Sequence, residues 1–204
     1  MRIIGGRFRS RALLAPAGQQ TRPTSDRLRE TLMNVLTNGA RNRVLEARVV
    51  DLYAGTGAVG LEALSRGAHS ATFVENSPAA MATLEANCKR MGLGAEAVCV
   101  RAAVSTWLRR AGAGAARFDL VFLDPPWEMH EEYAQAMGLL GAATLLAADA
   151  WVVAEHRSKT ELADQFGGLR RWRVIHHGDA ALSFYALVGQ ETPESRPDLR
   201  ESPV

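Results

Sequence analysis

Asp124, Pro125, Pro126 and Trp127 stand together directly after an apolar run, Phe118 to Leu123. Two successive prolines fix φ and remove two backbone donors, so the carbonyls beside them are held rigid and can face a ligand. Chemistry at the exocyclic amine of a nucleobase needs that geometry, because the nitrogen lone pair is delocalised into the ring. The Asp124 carboxylate and the Pro125 carbonyl can accept the two amine hydrogens, draw the nitrogen toward a tetrahedral shape and aim its lone pair at an electrophilic methyl. Trp127 offers a flat face for an extruded base. Catalysis of this kind is mainly positioning for in-line transfer, with the proton leaving afterwards. A Pro-Pro turn beside a core tryptophan is the plain structural alternative.

A second constellation runs from Asp51 through Tyr53, Ala54, Gly55, Thr56 and Gly57 to Gly60. Glycines at a strand-to-helix turn let a cofactor approach the backbone at the carboxyl ends of the strands. Gly55 to Gly60 reads as G-x-G-x-x-G, which a dinucleotide fold also carries. Asp51, four residues before the first glycine, separates the two cases: a carboxylate there can take the ammonium of S-adenosylmethionine, a group that NAD lacks. Glu75, followed by Asn76 at the end of the next apolar run, can accept ribose hydroxyls in either fold.

Parallel strands must position these residues. Val49–Leu52, Ala71–Glu75, Ala97–Arg101, Phe118–Asp124 and Trp151–Glu155 are nearly continuous apolar runs, as strands covered on both faces should be. Helices are predicted between them over 57–66, 78–91, 104–110 and 131–140, the second with Pro at its first turn. Arg171–His177 and Ala181–Val188 add two strands joined by Gly178-Asp179-Ala180. The predicted fold is α/β, a doubly wound, seven-stranded, mostly parallel Rossmann-like sheet. Ahead of it, residues 1–43 predict a small hairpin turning at Gly5-Gly6 and a helix with Leu28, Leu32, Val35 and Leu36 at helical spacing, capped by Thr24 or Ser25. The catalytic unit is then 44–189, with a flexible tail over 190–204.

Charge separates the same units. Residues 1–43 hold nine arginines, no lysine, and only Asp26 and Glu30, a local +7 within a chain of net charge +2. A basic arm on a mildly acidic body suits a polyanion approached from one side. Cys88 and Cys99 are the two cysteines; they exclude a disulfide framework and read as core residues rather than the loop nucleophile that cytosine C5 methylation needs. His176 and His177 point to opposite strand faces and cannot share a metal. No apolar stretch nears the ~20 residues of a membrane span, and no secretory signal is read, which suits a reducing, cytoplasmic compartment.

Asp51 to Gly60, Glu75 and Asp124 to Trp127 resemble the cofactor loop, ribose acid and catalytic loop of class I S-adenosylmethionine-dependent amino-methyltransferases. Arg2-Ile-Ile-Gly-Gly6, Arg22-Pro-Thr24 with Arg27, Arg29 and Glu30, and Glu62 to Ala68 resemble, more narrowly, the 16S ribosomal RNA guanine-N2 methyltransferase family, the small-subunit methyltransferase D group. The resemblance spans about residues 1–189. It implies methylation of one guanine in 16S rRNA, on an assembled or late-intermediate small subunit, by a monomer, with RNA held by Arg2, Arg7, Arg9, Arg11, Arg22, Pro23, Thr24, Arg27 and Arg29. This chain departs from the family where a carboxylate after the third strand usually binds the adenine amine. Arg101-Ala102-Ala103-Val104 carries none, leaving backbone groups around Ala102 and Ala103. Trp127 replaces a commoner Phe and keeps the stacking surface. The rival readings are an adenine-N6 or DNA amino-methyltransferase, an NAD-dependent dehydrogenase, and a non-catalytic assembly factor.

Overall fold

The computed structural model describes residues 1–15, 25–111, 117–142 and 144–192. The apolar runs form β1 (Arg48–Leu52), β2 (Ser70–Glu75), β3 (Ala97–Arg101), β4 (Phe118–Leu123) and β5 (Leu146–Arg157). These pair in parallel in the order β3-β2-β1-β4-β5. The connecting helices are α2 (Ala58–Ser65), α3 (Pro78–Met91), α4 (Val104–Ala111) and α5 (His130–Ala142), preceded by α1 (Asp26–Thr37). The chain then reverses: β8 (Ala180–Leu187) lies antiparallel to β5, β7 (Leu169–His177) to β8, and β6 (Gln165–Phe166) to β7. The sheet therefore has eight strands rather than the seven expected. Its extra member is two residues long, too short to show any periodicity.

Side-chain alternation divides the sheet into two buried faces. Val49, Phe73, Leu120, Phe122, Val153 and Phe184 pack with α1, α2 and α3, whereas Val50, Val74, Val121, Leu123, Val152 and Tyr185 pack with α4 and α5. β5 begins five residues earlier than the apolar run suggested, and its register with β4 shifts between the Phe118–Leu146 and Leu120–Trp151 pairs. The added segment, Leu146 to Ala150, is alanine-rich and weak in β-propensity.

The N-terminal hairpin is corrected. Arg2 and Ala12 form one antiparallel bridge, and the turn is a 3-10 helix over Gly6–Phe8 rather than a two-residue Gly5-Gly6 turn. The reason is packing onto α2: a Cβ on Gly6, whose φ is +74°, would lie 1.9 Å from the Ser65 carbonyl oxygen. The wholly buried Glu62 accepts the amides of Ile4 and Gly5, each at 2.8 Å. Ile3, Phe8 and Leu13 share one core cluster with Leu28, Leu32 and Leu36 of α1, so the arm is built into the body. Ser25, one of the two caps suggested by sequence, accepts the Leu28 amide at 3.1 Å.

Candidate active site

The order β2-β1-β4 makes the gap between β1 and β4 the point where successive connections leave in opposite directions, and open α/β sheets bind ligands there. Leu52 pairs with Leu123, so the loop after β1 and the Asp124–Trp127 loop emerge side by side at one edge. Glu75 ends β2 at the same edge, and Glu155 lies near the end of β5.

The loop between β1 and α2 holds three left-handed residues, Tyr53 (φ +59°), Gly55 (+55°) and Gly57 (+79°). Gly57 suits its left-handed backbone, and a Cβ there would also press on Leu84 Cδ1 at 2.3 Å. At Gly55 a Cβ would find nothing nearer than the Tyr53 carbonyl at 4.0 Å, so the backbone faces open space. Tyr53, bulky for this region, is braced by its hydroxyl donating to Glu132 Oε2 at 2.6 Å. The half-exposed Thr56 gives its carbonyl to Asn87 Nδ2 at 3.0 Å, while the buried Ala54 donates its amide to Val74 at 3.1 Å.

Glu75 accepts the Gly55 amide through Oε2 (2.8 Å) and the Ser77 amide through Oε1 (2.7 Å). Each oxygen keeps a lone pair for a ribose hydroxyl. The buried Asp51 accepts the Gly60 amide at 2.9 Å, so it caps the start of α2. Burial pushes its pKa up to about 7; the Gly60 bond opposes the rise and the Glu75 charge adds to it. Asn76 is exposed beside Glu75. The backbone alternative at Ala102 and Ala103 is narrowed, because the Ala102 amide donates to the Glu75 carbonyl at 3.1 Å and the Ala103 carbonyl accepts from Trp107 at 3.0 Å.

In the second loop Pro125 is buried, Pro126 exposed, and Asp124 and Trp127 half-buried. Burial, then Glu155, then Asp51 raise the Asp124 carboxyl well above the ordinary carboxylate range. Trp127 packs against the core, with the Arg157 guanidinium 5.0 Å from its ring centroid. The buried Tyr133 on α5 donates its hydroxyl to the Glu155 carbonyl at 3.0 Å and lies 3.4 Å from the Pro125 carbonyl.

Arg2, Arg7, Arg9, Arg11 and Arg27 are exposed. Arg29 is not: its wholly buried side chain pairs with Asp26 and donates to the Arg2 carbonyl at 2.9 Å, which removes it from the expected RNA surface. Arg22, Pro23 and Thr24 lie outside the described residues. The exposed arginines do not form one patch. Arg7 pairs with Glu96, ahead of β3, at 3.6 Å, which is the sheet edge opposite Asp124. Arg27 lines a cleft with Glu155 and His177 at the Asp124 edge.

Sequence reasoning missed Tyr133, and it named Glu155 merely as a strand end. Glu75 was marked as an acid ending an apolar strand, Asp51 by its place four residues before Gly55 and Asp124 by the two prolines that follow it; the strand-end signal was available for Glu155 as well. Tyr133 gave none, being one apolar-face residue among several on α5.

The family described as "Conserved hypothetical protein 95" matches residues 1–186. Ribosomal RNA small subunit methyltransferase D of Haemophilus influenzae is 33% identical over 187 residues, covering 92% of this chain and 92% of that protein. The chain belongs to this methyltransferase family. Its Escherichia coli relative of the same name is 39% identical over 127 residues, covering 62% of this chain and 60% of that protein. The solved structure of a Thermus thermophilus hypothetical protein superposes with a TM-score of 0.77 at 35% identity, covering 90% of this chain and 98% of that one. The fold is that of a class I methyltransferase, and S-adenosylmethionine is its methyl donor. The residues fit that group: open space lies over Gly55, and Asp51 and Asp124, whose carboxyl pKa values are pushed up by burial and by neighbouring acids, gather with Glu75 at an edge where an ammonium and a sulfonium would favour their ionised forms.

Proposed function

We propose that this enzyme methylates the exocyclic N2 amine of a guanine in 16S rRNA, acting in the cytoplasm as a monomer on the small ribosomal subunit or a late assembly intermediate. The reading is carried by the adjacency of Asp124 and the rigid Pro125 carbonyl to the Asp51–Gly57 loop. Two acceptors beside a methyl-donor site suit an amine with two hydrogens to give up. The donor supplies a methyl group on a positively charged sulfur. Asp124 and Pro125 orient the amine and pull it out of conjugation, Trp127 and Pro126 bear on the base, and Asp124 stabilises the charge that develops on nitrogen before the proton leaves. Glu75 and the 53–57 loop hold the nucleoside part of the donor and Asp51 its ammonium. Residues 1–43 act as the RNA-binding extension of the catalytic unit 44–189 through two groups: Arg27 beside the Asp124 edge, with Arg22, Pro23 and Thr24 preceding it in the chain, and Arg2, Arg7, Arg9 and Arg11, of which Arg7 reaches the opposite edge.

The test is transfer from labelled S-adenosylmethionine to small subunits purified from cells lacking the protein, followed by digestion and nucleoside identification. N2-methylguanosine in 16S rRNA is expected. N6-methyladenosine, or label entering DNA alone, would overturn the choice of amine.

A further inference from the structure

β4 and β5 run parallel with Leu123 beside Ala154. The next residues, Asp124 just past the end of β4 and Glu155 still within β5, are therefore neighbours on one face of the sheet, since directly paired residues of parallel strands share a face. Glu155 is 5% exposed and borders a cleft of about 460 Å³. Ser25 and Arg27 at the start of α1 and His177 and Asp179 at the β7–β8 turn form the opposite walls. Tyr133 joins the Glu155 and Pro125 carbonyls at 3.0 and 3.4 Å, so the two backbones are braced by one hydroxyl. Cofactor contacts do not account for a carboxylate here. Asp51 and Glu75 belong to β1 and β2, and β4 stands between those strands and β5.

The chemistry of the base does account for it. On the Watson–Crick edge of guanine the N2 amine adjoins N1–H, two donors side by side, whereas the amines of adenine and cytosine adjoin a ring-nitrogen acceptor. An extruded base is read on that edge, and a site built from acceptors alone selects guanine. We propose that Glu155 accepts the N1–H of the target guanine while Asp124 and the Pro125 carbonyl take the N2 hydrogens, which makes Glu155 the residue that selects guanine among amino-bearing bases. The inference rests on the guanine-N2 reading above.

2-Aminopurine tests it, because that base keeps the amine at C2 but has an acceptor at N1. Small subunits are reconstituted with rRNA carrying guanine or 2-aminopurine at the position that wild-type methylation maps. The readout is the ratio of kcat/KM for the two bases, compared between wild type and Glu155→Gln, which cancels the missing O6 of 2-aminopurine. A glutamine amide can accept from N1–H or donate to N1, so the preference for guanine should fall by about 10- to 100-fold, mostly through faster transfer to 2-aminopurine. Glu155→Ala should lower the same ratio through slower transfer to guanine. An unchanged ratio in Glu155→Gln, with N2-methylguanosine formed by wild type, overturns the role of Glu155 and leaves the guanine reading standing. Loss of transfer to both bases with cofactor binding retained also overturns it, since Glu155 would then serve the reaction and not the choice of base. Absence of N2-methylguanosine with wild type removes both readings.

Discussion

The hydroxyl of Tyr133 lies 3.4 Å from the carbonyl oxygen of Pro125, buried beneath the loop proposed to present the substrate amine. The same hydroxyl donates to the Glu155 carbonyl at 3.0 Å, so α5 sets the height of both backbones. Tyr133→Phe leaves the ring packing intact and removes this brace. We expect kcat to fall about 3- to 10-fold with KM for the small subunit little changed, and stability to drop by about 1 kcal/mol. Steady-state kinetics with a thermal melt would check this; a change confined to KM would show that Tyr133 acts on RNA binding instead.

Asp51, as the proposed partner of the donor's ammonium, should make cofactor affinity depend on pH. In the free enzyme its pKa is raised to about 7 by burial, above the ~3.9 of an unfolded chain. The sign follows from linkage: the protonated form favours folding, so this contribution is full below about pH 4 and is lost as pH rises toward 7. Binding of an ammonium requires the ionised form, so affinity runs the opposite way. S-Adenosylmethionine should bind about tenfold more weakly at pH 6 than at pH 8. Asp51→Asn should weaken binding and flatten the profile in calorimetry. A wild-type profile already flat from pH 6 to 8 would contradict the role given to Asp51.

Glu62 holds the N-terminal segment to α2 through the Ile4 and Gly5 amides, with Arg66 Nε on the same carboxylate at 2.8 Å. Glu62→Gln replaces one acceptor oxygen by a donor facing amides. A loss of about 3 kcal/mol is expected, a fall in Tm of about 6–12 °C for a chain of this size. An unchanged Tm would mean that residues 1–14 contribute nothing to the fold.

Arg9 and Arg11 are exposed, with Arg11 5.2 Å from the Phe8 ring centroid and hydrogen-bonded to the Arg90 carbonyl. Replacing both by Glu should weaken RNA binding and make the plot of log K against log salt shallower by about one for each phosphate no longer neutralised. An unchanged slope would take this stretch out of the interface. Arg29→Gln makes the contrast: its buried side chain predicts reduced stability with the salt slope preserved.

What could be read from the sequence follows the physics of each element. The parallel strands were legible because burial on both faces demands unbroken apolar runs, and α3 was legible to the residue because Pro78 opens it and Gly92, at φ +71°, closes it. Glu75 and Asp124 showed themselves as acids where such runs end, and Asp51 as an acid inside one, four residues before Gly55. The segment 1–14 misled because its shape is dictated by Glu62 and Ser65, nearly sixty residues away, and not by its own turn residues. Arg29 was assigned to RNA by the resemblance and by the charge of its segment, although it shares the buried face of α1 with Met33 and Leu36 at helical spacing. β6 is an edge strand of two residues set by its pairing with β7 and its packing under the end of α5.

Asp124 carries the central claim, that a carboxylate beside a rigid carbonyl prepares the amine for transfer. The most direct measurement pairs single-turnover methyl transfer to small subunits with calorimetric S-adenosylmethionine binding, for wild type and Asp124→Ala. Removing one preorganised acceptor should lower the transfer rate by about 10²–10³ or more, with cofactor affinity within about threefold of wild type. Equal loss of affinity and rate, or a rate left intact, would contradict the assignment.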